Sequence, residues 1–162
     1  MTESVHRSRS PEETIELARW LARRYPAGAY YYLEGELGAG KTVFAKGIAL
    51  AYEVDPGRVV SPTFALVNRY GGGSRTIYHV DLYRIENERE LAELGLEEIE
   101  EEEAVLVVEW PEKLGRYRHP DAVVVRFEIP VEEEEARSIR IVEPAGSRAT
   151  QNTRKGVSLD ST

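Results

Sequence analysis

The sequence predicts an α/β fold in which helices flank a mixed parallel and antiparallel central sheet, and three stretches carry that prediction. The segment Gly35-Glu36-Leu37-Gly38-Ala39-Gly40-Lys41-Thr42 lies between an apolar run, Ala29 to Leu33, and a helix-compatible run, Thr42 to Tyr52. Strand, loop and helix in that order imply a crossover to a parallel neighbour. Ala104-Val105-Leu106-Val107-Val108 is the continuous apolar run that a central strand buried on both faces requires. Phe64 to Tyr70 and Thr76 to Leu82 flank Gly71-Gly72-Gly73-Ser74, a hairpin signal that demands antiparallel pairing.

From the amino terminus, Met1 to Arg9 is polar and is expected to be flexible. Ser10-Pro11-Glu12-Glu13 reads as a capping box with proline at the first helical position, and Ile15, Ala18, Leu21, Ala22 and Tyr25 recur on one face of the helix that follows. Pro26-Ala27-Gly28 stops it ahead of the first central strand. The helix after the glycine-rich segment ends near Asp55-Pro56-Gly57, and Val59 to Phe64 is an extended entry to the hairpin. Glu88 to Glu102 reads as a short helix broken at Gly95, with Leu91, Leu94, Leu96 and Ile99 as its apolar residues. Val123 to Ile129 and Ser138 to Val142 alternate apolar and polar residues and predict two late antiparallel strands. These signals place one domain at residues 10–144, with residues 145–162 expected to be a disordered tail.

A chain of 162 residues can bury a core without staples. It has no cysteine, which excludes a disulfide, a thiol nucleophile and a thiolate zinc site. Its three histidines, His6, His79 and His119, lack metal-ligand spacing, so His79 reads as a core residue or a support for a neighbour. No apolar run approaches the length of a membrane span, and no secretory h-region is expected in the first ten residues. A formal net charge of −8 argues against a broad nucleic-acid surface, so any RNA contact is expected to be indirect. The acidic runs Glu97 to Glu103 and Glu132 to Glu135 read as solvated faces.

Residues 35–42 fit the pattern G-x-x-x-x-G-K-[ST] at every fixed position. Small residues let the backbone curl with its N–H groups inward, and the following helix adds the positive end of its dipole, which together suit a triphosphate. Lys41 is expected to reach the β- and γ-phosphates and Thr42 to supply a magnesium ligand. The further oxygens that magnesium needs would come from acids at strand ends, for which Glu109 and Asp81 are the candidates. The resulting fold expectation is a P-loop NTPase-like three-layer sandwich, and an ATP site implies a cytoplasmic location.

Four motifs in this order, residues 35–42, Ser61-Pro62-Thr63-Phe64, His79 to Arg84 and Glu109-Trp110-Pro111, resemble the TsaE family, the ATPase subunit of the bacterial machinery that installs threonylcarbamoyl on adenosine in tRNA. The resemblance covers about Ser10 to Val142 and implies ATP and Mg2+ as cofactors. By position it implies that Gly38, Ala39, Gly40, Lys41, Thr42 and Val43 hold the nucleotide, with Thr42, Glu109 and Asp81 on the metal. Asp81, Glu109, Lys41 and Thr63 would be the catalytic set, Thr63 reporting on the γ-phosphate, and Trp110, Arg137 and Glu12 would lie beside the nucleotide, with Thr14 near it. The family's partners are the TsaD and TsaB subunits, which would hold the tRNA. The alternatives that remain are a small-molecule kinase and a nucleotide-gated binding module without turnover.

Overall fold

A computed structural model describes residues 1–62 and 66–145. The chain runs β1 (Thr2–Ser8), α1 (Pro11–Arg23), β2 (Tyr30–Glu34), α2 (Lys41–Ala51), β3 (Val67–Tyr70), β4 (Ile77–Asp81), α3 (Glu88–Ala92), α4 (Leu96–Glu101), β5 (Val105–Glu109), β6 (Val123–Glu128) and β7 (Arg137–Glu143). The seven strands form one sheet in the order β1-β7-β6-β2-β5-β4-β3. β6, β2, β5 and β4 are mutually parallel, whereas β3, β7 and β1 pair antiparallel with their neighbours. The expected mixed sheet is therefore present, with β5 in its interior between β2 and β4 and buried along its whole length.

Helices cover both faces. Alternation along the strands sends Tyr31, Leu33, Ile77, Val105, Val107, Val123 and Val125 to one side, where they pack with α1 and α2. Tyr32, Val80, Leu106 and Val108 go to the other, under α3 and α4. The two helices of the first layer approach closely because residue 47 is glycine: a Cβ there would lie 2.3 Å from the Ile15 carbonyl and 2.6 Å from the Ala18 Cβ. α1 begins where its sequence predicts. Ser10 Oγ accepts the Glu13 N–H at 3.1 Å, while the Glu13 carboxylate reaches one residue beyond the cap and accepts the Arg9 N–H at 2.7 Å. The second helical stretch is broken at Gly95 into α3 and α4.

Two expectations are corrected. The amino-terminal segment expected to be flexible is an edge strand, paired with β7 from Thr2↔Glu143 to Ser8↔Arg137. Its polar composition hides a reason to order: His6 and Ser8 are buried, the His6 ring lies 5.8 Å from that of Trp20, and Ser8 Oγ bonds Thr14 Oγ1 at 2.7 Å. Ion pairs from Arg7 to Glu133 and from Arg140 to Glu3 hold the exposed face. The late strands are antiparallel to each other, as expected, but β6 joins the sheet parallel to β2, because the chain leaving β5 passes β2 and returns to the starting end of the strands before entering on the far side of β2. Of residues 145–162, expected to form a disordered tail, 146–162 lie outside the described residues.

Candidate phosphate-binding site

The site lies at the carboxyl ends of the parallel strands, where an open α/β sheet presents its crevice. β2 ends at Glu34 and α2 starts at Lys41, so residues 35–40 form the loop between them. Gly38 and Gly40 have φ of 80° and 104°, the left-handed region, and a Cβ at either would meet nothing within 4 Å. The space in front of them is open, and side chains there would fill it. Gly40 is the N-cap of α2, which has no side-chain cap, so the first N–H groups of the helix have no partner within it.

Lys41 is 4% exposed. Its Nζ donates to the Gly35 carbonyl at 2.6 Å and lies 4.1 Å from the centroid of the Trp110 ring. Burial lowers its pKa from the ordinary lysine value, and the charges of Glu109 and Asp81 pull in the opposite direction.

Those acids end adjacent parallel strands, with Asp81 directly opposite Glu109. They are 3% and 4% exposed. Two carboxylates buried side by side are costly unless cations or donors meet them. Asp81 Oδ1 accepts the Tyr83 N–H at 2.9 Å, and Glu109 Oε2 lies 2.7 Å from His79 Nε2. Trp110 follows in a left-handed conformation, φ 61°, which is strained for a side chain of that size and turns its ring toward Lys41. Tyr83 packs against it at 5.0 Å between centroids.

Arg137, at the start of β7, reaches the loop from behind. Its Nε donates to the Ala39 carbonyl at 3.1 Å and its Nη2 to the Gly38 carbonyl at 3.2 Å. Two further arginines, Arg126 and Arg118, meet Glu34 at the base of the loop. Spacing gives no hint of that cluster, because the arginines lie 92 and 84 residues from Glu34.

Of the residues singled out by sequence, Gly38, Ala39, Gly40, Lys41, Thr42, Val43, Asp81, Glu109, Trp110 and Arg137 are thus gathered around one loop and the strand ends beside it. Thr14 lies at the same end of the sheet, with its hydroxyl committed to Ser8. Glu12 is exposed on the first turn of α1, and none of the described contacts joins it to the loop. Thr63 lies outside the described residues. His79, expected to be a core residue or a support for a neighbour, is buried with its side chain on the same face of β4 as that of Asp81.

A glycine-rich loop running from a central parallel strand into a helix, with a buried lysine and two strand-end acids before it, defines a P-loop NTPase-like protein. Residues 8–139 match the family described as "Threonylcarbamoyl adenosine biosynthesis protein TsaE". The chain belongs to the TsaE family. It is 37% identical over 124 residues to the tRNA threonylcarbamoyladenosine biosynthesis protein TsaE of Rickettsia conorii, covering 76% of this chain and 70% of the relative. To the protein of that name in Aquifex aeolicus it is 36% identical over 133 residues, covering 82% and 90%. The crystal structure of Bacillus subtilis YdiB superposes with a TM-score of 0.70 at 27% identity over 88% of this chain and 86% of that one.

Proposed function

We propose that this protein hydrolyses Mg-ATP to ADP and phosphate in support of threonylcarbamoylation of adenosine in tRNA, as a subunit acting on a TsaD–TsaB pair in the cytoplasm. The observation that carries the reading is the convergence of a buried lysine amine, two buried acids and an open glycine cradle at the ends of three adjacent strands.

The residues present fit the nucleotide and its metal. The left-handed glycines leave a concavity that a phosphate can fill, and the amino end of α2 directs N–H groups toward it. Lys41 would exchange the Gly35 carbonyl for phosphate oxygens, keeping its charge in a site where water screens it little. Among the described residues no three histidine or acidic side chains form a complete metal cage. Magnesium needs no such cage: it takes one or two carboxylates and completes its shell with phosphate oxygens and water. Thr42, Glu109 and Asp81 would hold it, and the ion would neutralise charge building on the transferred phosphoryl group. Asp81 and Glu109 would also orient the attacking water, Trp110 would wall the site against solvent, and Thr63 would sense the γ-phosphate. Glu12 would serve the nucleotide only after a shift of its side chain. A change in these segments on hydrolysis would alter affinity for TsaD and TsaB.

The test is ATP hydrolysis by the purified chain alone and with TsaD and TsaB, comparing wild type with Lys41→Ala and Glu109→Ala. Stimulation by partners, abolished by both substitutions, is the expected result. Tight ATP binding with no turnover in any mixture would favour the gated module, and transfer of the γ-phosphate to a metabolite would favour the kinase.

A further inference from the structure

We infer that His79 is a positioning residue for Glu109: it holds one carboxylate oxygen so that the other is presented to the metal. The inference rests on the Mg-ATP reading above.

His79 and Asp81 share one face of β4, and Asp81 stands opposite Glu109 on β5, so His79 is the diagonal neighbour of Glu109. The reach is 2.7 Å, between side chains 1% and 5% exposed. A carboxylate can only accept, so the proton of this hydrogen bond sits on Nε2. Oε2 is thereby engaged, and Oε1 is the oxygen left for another partner. The main chain of Glu109 is fixed from the same element, since its carbonyl accepts the Leu82 N–H at 3.1 Å. β4 and the turn after it therefore constrain Glu109 at both its backbone and its carboxylate.

Packing alone does not account for an imidazole here. An apolar ring would fill the volume beside Tyr70, whose ring is 6.3 Å from that of His79. The imidazole instead buries Nδ1 with no hydrogen-bond partner among the described residues, a desolvation cost that an apolar ring avoids. The return for that cost is the bond to Glu109. Carboxylates that ligate metals are themselves held by hydrogen bonds, and removing such a support typically weakens metal affinity by about 10- to 100-fold.

The experiment measures ADP affinity by calorimetry in EDTA and across a Mg2+ titration, for wild type and for His79→Phe, His79→Asn and His79→Gln, each first checked by thermal unfolding. Phenylalanine keeps the ring without the donor, asparagine is too short to place a donor at the Nε2 position, and glutamine can. In EDTA all four should bind ADP within about two-fold. The Mg2+ concentration that half-restores full affinity should rise about 10-fold or more in the Phe and Asn variants and stay near wild type in Gln. Unchanged Mg2+ dependence in Phe and Asn would overturn the inference while leaving the Mg-ATP reading intact. If the Phe variant does not fold, the Asn and Gln pair decides, and equal half-points overturn it. Wild-type ADP binding that ignores Mg2+, or that survives Lys41→Ala unchanged, would overturn the underlying reading and this inference with it.

Discussion

Arg137 Nε donates to the carbonyl of Ala39 across 98 residues of sequence, and the same guanidinium reaches the Gly38 carbonyl. A planar fork on two successive carbonyls fixes the loop from its convex side, leaving the N–H groups free to face a ligand. The resemblance placed Arg137 beside the nucleotide; the contacts make it a brace of the loop that would hold the nucleotide.

Arg137→Ala should weaken ADP binding by about 10-fold, near 1.4 kcal/mol, with a smaller effect on thermal stability. Arg137→Lys should recover little, because an ammonium cannot bridge both carbonyls in one geometry. Calorimetry with ADP checks both, and full recovery by lysine would point to a simple charge effect on the ligand.

Deleting residues 1–8 removes β1 and unpairs the edge of β7 at the strand that carries Arg137. The loss of the buried His6 and of the edge ladder should cost about 3 kcal/mol, or roughly 10 °C in Tm. Nucleotide affinity should fall as well, since Ser8 pairs with Arg137. A truncated chain with unchanged Tm would show that the strand adds nothing to the sheet.

Gly47→Ala forces a Cβ to 2.3 Å from the Ile15 carbonyl, a backbone atom that can move only if α1 and α2 separate. Overpacking of this kind costs about 1–3 kcal/mol, and thermal unfolding should show a Tm lower by roughly 5 °C.

Alkali should loosen the layer under α2. Tyr31 and Tyr52 share a hydrogen bond of 2.6 Å, and Tyr52 donates to the Tyr25 carbonyl. Burial pushes the Tyr52 phenol up to about 12 and that of Tyr31 well above its ordinary value. Both phenols are held neutral in the fold, so their contribution is complete below pH 10 and is lost as pH rises toward about 12. Denaturant midpoints measured between those values should fall more steeply for wild type than for Tyr52→Phe, which should itself be less stable at neutral pH by about 1 kcal/mol.

The strand, loop and helix around Lys41, the hairpin of β3 and β4, and the central position of β5 were all legible, because glycine turns and apolar runs are local signals. So were Asp81 and Glu109, whose places at strand ends follow from where the apolar runs stop. β1 was not, because a strand at the sheet edge buries only part of one face and reads as polar. The parallel entry of β6 and the arginines on Glu34 depend on pairings across some ninety residues, which composition does not encode. His79 was visible as a support but not its partner, since the register of β4 on β5 decides that.

The pairing of β1 with β7 also sets an order of events. Among the described elements β1 is made first and its partner β7 last, on the order of ten seconds later at ordinary elongation rates. Until then one border of the sheet is missing and the loop lacks its guanidinium clamp. The nascent chain would therefore present Gly35 to Thr42 without a competent anion cradle, and ligand capture would be deferred until β7 had left the ribosome.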